Sequence, residues 1–212
     1  FLSTLSDAAA VAIDNRRLFR STNRALEETA ALYRATNAIN RASDLDELAQ
    51  SLQSALETLK PDIYAAVLET ASGMRVLFNV DLDGDPLLVD VLLARHQLLE
   101  RNYSTFIDDL RTVDQPTPFE VELLLSGTIR AIGLVQMRSG DRLRGAILVG
   151  YHAPHRFTSG DARYLNALAD AASVVANNIL LLEQVQRTLQ ETSILYNATR
   201  DLANAEGYDQ IL

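Results

Sequence analysis

The chain has 212 residues, of which 48% are hydrophobic, enough for one packed domain with extensions or for two small domains. Its net charge of -9 argues against a nucleic-acid partner, because phosphate binding depends on clustered Lys and Arg. Cysteine is absent, which excludes disulfides, thiolate metal sites, thiol nucleophiles and thioether-linked cofactors.

The sequence contains no uninterrupted apolar run of membrane-spanning length and no signal segment at its start. We therefore expect no direct membrane contact in this piece, and any membrane anchor would lie outside it. A cysteine-free chain suits a reducing compartment, so we expect a cytoplasmic location.

The first predicted element is a long N-terminal helix that is nearly repeated at the C-terminus. Shifting the sequence by 163 positions aligns residues 1–49 with residues 164–212, and 18 of these 49 pairs are identical without a gap. Neither copy contains proline, and both are rich in Ala, Leu, Glu and Arg, which favours helix. We predict one helix to about Arg41, and another from a Thr158–Asp161 capping box to about residue 204, before Gly207. Gapless repetition of this kind is typical of an array built from one repeating unit.

Both predicted helices carry a stripe whose spacing alternates between four and three residues, as in a coiled-coil seam. Thr and Asn within the stripe weaken it relative to Leu or Ile, and a buried Asn favours a fixed register. We expect a parallel homodimer that pairs through these stripes, with packing onto the chain's own core as the alternative. The seam candidates are Asn15, Phe19, Leu26, Tyr33, Asn178, Leu182, Val185, Leu189 and Tyr196.

Between the two copies, the pattern predicts an α+β domain. A second helix begins with Ser43 as N-cap and Asp46 three residues later, and it ends before Pro61. Two hairpins are predicted, "DIYAAVLET" with "MRVLFNV" and "TIRAIGLVQMR" with "RLRGAILVGYHA". A helix at 85–102, a strand in "STFIDDL" and a short helix in "PFEVELLLSG" separate them. Antiparallel hairpins with helices before and between them indicate α+β rather than α/β, and no G-x-G-x-x-G supports a dinucleotide fold.

These segments resemble a GAF domain in their order and spacing. The resemblance is carried by "SDLDELAQSLQSALETLKPDIYAAVLET", "STFIDDLRTVD" and "GTIRAIGLVQMRSGDRLRGAILVGYHAPHRFTSGDARYLNALADAASVVANNILL". It implies a GAF-like antiparallel sheet of five to six strands with helices on both faces, flanked by long N- and C-terminal helices. It also implies three parts. Residues 1–29 would be the terminal helix of a preceding GAF domain and a linker, 30–182 a GAF domain, and 183–212 a linker helix and the start of a following GAF domain.

The resemblance implies a sensory or signal-transmission module in a multi-domain signalling protein, with a sensor histidine kinase as the expected whole. Such a module would bind a small molecule and relay change through dimeric helices to neighbouring GAF and output domains of the same chain. A ligand-free dimerisation and spacer module is the alternative. We expect no enzymatic activity in this piece, because no set of nucleophile, base and orienting group is visible.

The ligand itself is unknown at this stage. Covalent bilin binding in family members needs a Cys that this chain lacks. Haem would depend on His96 as an axial ligand, but a lone His on such a helix is more often a surface or packing residue. The pocket candidates come from elements that would border the family's pocket, and core or surface packing is equally open for each. They are Phe78, His96, Tyr103, Phe106, Asp108, Arg130, Met137 and Tyr151.

Three further patterns have plainer explanations, and we expect no metal site. His152 and His155 have no acidic partner at metal-site spacing. The segment "DLDGDP" lacks the Gly at position six and the Glu at position twelve of a calcium loop. Asp108 and Asp109 are adjacent in a predicted strand, so they would point to opposite faces and not share a proton.

Overall fold

The computed structural model describes residues 2–80, 104–114, 121, 129–140 and 142–209. Within these ranges the elements follow one another as three helices, five strands and two short 3-10 turns. Their bounds are α1 Leu2–Asn40, α2 Leu45–Leu56, a turn at Glu57–Leu59, β1 Ile63–Thr70, β2 Gly73–Val80, β3 Thr105–Ile107, a turn at Leu110–Thr112, β4 Ala131–Ser139, β5 Arg142–Tyr151 and α3 Ser159–Asp209.

The five strands form one antiparallel sheet in the order β2-β1-β5-β4-β3. Both predicted hairpins are confirmed as β1–β2 and β4–β5, and the short strand predicted in "STFIDDL" is β3. The central strands β1, β4 and β5 are buried over most of their length, as their runs of Val, Ile, Leu and Ala predict. The predicted α+β fold class with an antiparallel sheet is therefore confirmed.

The two faces of the sheet carry separate apolar clusters. The helix-side cluster packs α1, α2 and α3 against inward residues of the sheet such as Leu68, Val135 and Ile147. The second cluster lies on the opposite face and includes Val67, Ile132 and Leu148, none more than 6% exposed. The helices predicted at 85–102 and in "PFEVELLLSG" lie outside the described residues, apart from Val121, which is helical.

The helix starts are set by side-chain caps. The predicted Thr158–Asp161 capping box is confirmed, since Thr158 Oγ1 accepts from Asp161 N at 3.2 Å and Asp161 Oδ2 accepts from Thr158 N at 2.8 Å. The cap of α2 differs from the prediction. Asp44, not Ser43, is the N-cap, and its Oδ1 accepts from Asp46 N and Glu47 N, because its carboxylate is a better-placed acceptor than the hydroxyl one residue earlier.

The end of α3 also differs from the prediction. The helix passes through Gly207 and reaches Asp209, because a single glycine lowers helix stability by only about 1 kcal/mol and no proline follows it. At 1.5 Å per residue its 51 residues span about 75 Å.

The helices α1 and α3 run in the same direction. Glu28 of α1 lies beside Gly160 at the start of α3, and Leu45, just after α1, borders the same groove as Leu180. The N-terminal part of α1 and the C-terminal part of α3 therefore project from opposite ends of the domain. Every residue from 181 to 200 is exposed.

Residues 159–200 of α3 are long and apolar enough to cross a membrane by length and composition alone, with a mean hydropathy of 1.5 in the most apolar 18-residue window. In the structure, 44% of that window is buried. Leu165, Leu168 and Ala172 of this helix pack in the helix-side cluster. Packing in the core of the domain thus accounts for the apolar residues in this part of α3.

Candidate functional site

Two of the predicted pocket residues, Phe106 and Tyr151, meet where the sheet joins α3, and a third, Asp108, hydrogen-bonds the same segment. Phe106 and Tyr151 both contact Phe157 of the connecting segment, with ring centroids 5.4 and 5.8 Å apart. Tyr151 also stacks on His155, with centroids 3.8 Å apart and an interplanar angle of 6°. Gly133 leaves room for this cluster, because a Cβ there would lie 3.1 Å from Phe157 and 3.2 Å from Phe106. We call Phe106, Tyr151, His155 and Phe157 the junction cluster.

Asp108 fastens the same segment to the sheet. Its carbonyl oxygen accepts from His155 N at 3.0 Å, and its Oδ1 accepts from Phe157 N at 2.9 Å. The carbonyl and the side chain of Asp108 thus each accept one backbone hydrogen bond from a loop that has no strand partner there. Its role in the described structure is to hold the chain immediately before the capping box of α3.

Asp109 points elsewhere and pairs with Arg130. Arg130 Nε donates to Asp109 Oδ1 at 3.0 Å and its Nη2 donates to Oδ2, a two-point contact with both side chains less than a quarter exposed. The hydrogen bonds that Arg130 donates hold the pKa of Asp109 below its usual value, and the same bonds to Asp109 raise the pKa of Arg130. The two adjacent aspartates have different partners, so they do not form a carboxylate pair.

Tyr151 links the junction cluster to the helix layer. Its hydroxyl donates to Leu59 O at 3.1 Å, and burial, helped by the carboxylates of Asp161 and Asp62, raises its pKa to about 12. Tyr164 of α3 similarly donates to Ala55 O of α2 at 3.0 Å, and burial raises the pKa of its phenol. Both tyrosines therefore stay neutral and act as hydrogen-bond donors: Tyr151 ties β5 to the turn after α2, and Tyr164 ties α3 to α2.

The remaining pocket candidates do not join this site. Phe78 contacts Tyr64 edge-on, with centroids 6.1 Å apart, and packs against the helix-side cluster. Met137 is fully buried in that cluster. His96 and Tyr103 lie outside the described residues.

The seam candidates all lie on exposed surface. The large apolar members on α1 and α3 are each more than half exposed, and Asn15 and Asn178 are exposed as well. In the described part of the chain, these seam candidates therefore do not pack on the chain's own core. These apolar members are Phe19 67%, Leu26 62%, Tyr33 67%, Leu182 62%, Val185 54%, Leu189 64% and Tyr196 68%.

Phe157 and His155 belong to the junction cluster, but the sequence patterns predict neither of them as a pocket residue. The available signal was position, because both precede a capping box and so lie at the entry to a long helix. Among the described residues, no three His, Asp or Glu side chains gather closely enough to hold a metal ion.

Comparison with solved structures shows that the chain has the GAF fold. A domain attributed to a two-component sensor histidine kinase of Sinorhizobium meliloti 1021 matches with a TM-score of 0.56 and 17% identity, over 69% of this chain and 99% of that chain. The GAF domain of an Acinetobacter phosphoenolpyruvate-protein phosphotransferase matches with a TM-score of 0.51 and 13% identity, over 72% of this chain and 93% of that chain.

A third match is a chain in its far-red absorbing dark state with bound biliverdin IXa, with a TM-score of 0.52 and 18% identity over 70% of this chain and 98% of that chain. The sequence matches no protein-family model and no curated protein. At these identities the comparisons establish the fold and leave the ligand open.

Proposed function

We propose that this chain is a sensory or signal-transmission GAF domain that passes conformational change along paired helices. In this proposal two copies associate in parallel through the seams of α1 and α3. Ligand binding, or movement of the preceding part of the array, shifts the population between helix rotations or registers. The output module is a kinase or another domain elsewhere in the full-length protein.

One observation carries this proposal. The apolar seam on α3 is not covered by the domain: Leu182, Val185 and Leu189 are each more than half exposed. Large apolar side chains repeated at coiled-coil spacing are stabilised by a partner helix. The junction cluster and the capping box hold the start of this helix against the sheet, so sheet and seam are mechanically connected.

Because the chain has no cysteine, a single introduced thiol tests the pairing directly. In a parallel seam the two copies of residue 189 lie opposite each other at a separation that suits a disulfide. We expect Leu189→Cys to form a covalent dimer under mild oxidation. We expect Glu191→Cys, on the same helix but turned away from the seam, to remain mostly monomeric on a non-reducing gel.

Equal crosslinking at both positions, or none at either, would contradict the parallel seam. An antiparallel pair would separate the two copies of residue 189 and leave Leu189→Cys uncrosslinked. Sedimentation equilibrium of the unmodified chain supplies an independent measurement of its oligomeric state.

A second function, a ligand-free dimerisation and spacer module, is favoured by a different observation. The second cluster on the sheet is buried, with none of its core members more than 6% exposed. Native mass spectrometry of the purified dimer separates the two functions. A retained small molecule supports the sensor, and an apo dimer that no metabolite stabilises in thermal shift supports the spacer. A retained bilin would have to be noncovalent, since no thiol is available.

A further inference from the structure

A groove at the opposite end of the domain from the junction cluster lies where α3 leaves the sheet. It has a volume of about 530 Å³, and it is bordered by the β1–β2 turn, the start of β5 and residues 180–187 of α3. We propose that this groove binds an organic anion that combines an apolar body with a carboxylate or phosphate group. Its volume lies in the range of small-molecule sites.

The charges that border the groove favour an anion. Four guanidinium groups border it, against the two carboxylates Glu69 and Glu183. Arg75 is paired with Asp46 at 3.3 Å and Arg142 with Glu69 at 3.4 Å. Arg144 and Arg187 make no ion pair with any residue that the structure describes, so they supply the excess positive charge.

Arg144 provides the most specific signal in the groove. Its Nη2 donates to Asn177 Oδ1 at 2.7 Å, which fixes the guanidinium plane. Its Nε is buried and has no hydrogen-bond partner among the described atoms. A buried N–H that lacks an acceptor carries a free-energy cost, which an oxyanion would remove once the Nε–H edge of Arg144 turns towards the groove.

The groove also has an apolar wall. Leu45, Leu180 and Ala71 lie on its border beside the polar Thr70 and Ser72. A free inorganic ion would leave this wall unused, whereas an apolar body attached to the anion would cover it. The same surface therefore selects for an amphipathic organic anion over a simple salt ion.

The position of Arg187 connects anion binding to the rotation of α3. Arg187 lies on α3 on the side opposite the seam, whereas Arg144 belongs to β5 of the sheet. An anion between them would join the sheet to the exit of α3 and fix the rotation of that helix. The N-terminal copy of the repeat has Arg24 at the equivalent position, as expected if each joint of the array carries such a site. The effect on helix rotation rests on the proposed relay, whereas anion binding itself does not.

Isothermal titration of the full chain with 1-naphthyl phosphate and with 1-naphthoate tests the proposal, with 1-naphthol as the uncharged control. We expect at least one anion to bind and 1-naphthol to bind much more weakly. Added salt should weaken the binding of the anion. The tighter of the two anions identifies the preferred group. Removing one charged hydrogen bond with Arg187→Met should weaken binding about tenfold.

Arg17→Met, an exposed arginine of α1 remote from the groove, is the matched control and should change the affinity by less than about twofold. Arg144→Lys keeps the charge but loses the planar fork, so it should also weaken binding. If Arg144→Lys does not fold, the side-chain Nε–H signal of Arg144 in the ¹⁵N spectrum of the unmodified protein should shift on titration.

The proposal is overturned if neither anion binds at millimolar concentration, or if 1-naphthol binds as tightly. It is also overturned if Arg187→Met and Arg17→Met behave alike. These outcomes are independent of the crosslinking at residue 189, so the groove and the helical relay can fail separately.

Discussion

Among the described glycines, Gly145 is the one at which an added side chain would be most crowded. It lies on β5 opposite Leu68 of β1 and Met137 of β4. A Cβ at this position would collide with the carbonyl oxygen of Val67 and would lie 2.5 Å from Met137 Cε. The methionine can move, but the strand carbonyl cannot move without breaking the ladder, so a side chain is excluded here.

Gly145→Ala should therefore lower the free energy of unfolding by about 3 kcal/mol, the upper end of overpacking costs. Gly150→Ala is the matched control on the same strand, because its Cβ would meet only the flexible side chain of Ile129, at 3.3 Å. Urea denaturation of both variants measures the difference. Equal stability of the two would contradict the assigned collision.

Burial of the central strands could be predicted from their continuous apolar runs, but the face that each residue of β2 occupies could not. Val76 packs in the second cluster, while Leu77 and Phe78 both pack against the helix-side cluster. The cause is an irregularity in pairing, where Ala66 pairs with Phe78 and Val67 with Val76. A bulge of this kind breaks the period of two on which the prediction depends. Sequence alone therefore gave no way to place Phe78.

At the scale of elements, the start of α3 is defined more sharply than its end. Thr158 and Asp161 exchange three hydrogen bonds between 2.8 and 3.2 Å, and the junction cluster packs directly before them. The 51-residue helix then runs without a break past Gly207. The start of α3 could be predicted from the four residues of its capping box. The C-terminal end of α3 depends on the stability of the whole helix, which one glycine does not break.

Thr158→Ala should lower the free energy of unfolding by about 1 kcal/mol, because it removes an N-cap acceptor and a donor to Asp161. Thr188→Ala, on the exposed part of the same helix, should cost nothing measurable, since alanine is the better helix former. Chemical denaturation followed by circular dichroism compares the two. A loss of the same size in Thr188→Ala would refute the special role of the cap.

The two copies of the repeat have different environments at equivalent positions. In α1, Ala35 is 9% and Ile39 0% exposed, because they pack on α2 and α3. In α3, Leu195 is 68% exposed, although its counterpart Leu32 is half-buried. The expectation that 183–212 begins a following domain stays a prediction.

At the scale of the whole molecule, two long helices, α1 and α3, extend beyond the packed domain. The parallel course of α1 and α3 sends one apolar seam out at each end. Under the proposed relay, the rotation of α3 at residues 180–187 sets the orientation of everything beyond it. The length of helix between domains is then as important as its sequence.

Inserting one residue after Gln186 turns the rest of α3 by about 100° and moves Leu189 and Tyr196 out of the seam. Inserting seven residues restores the seam. We expect the single insertion to raise the dimer dissociation constant by at least about tenfold and the seven-residue insertion to leave it nearly unchanged. Sedimentation equilibrium measures both, and equal dissociation constants would disprove the seam.

The sequence by itself determined the elements that depend on neighbours along the chain: the two hairpins, the capping box and the repeat. These follow from hydrophobic period and local hydrogen bonding, which are written in short stretches. Only the tertiary structure decided which face Phe78 occupies, that Asp108 holds the loop before α3, and that Arg144 and Arg187 border one groove. Those facts depend on residues far apart in the chain, where a bulge or the course of a helix determines the outcome.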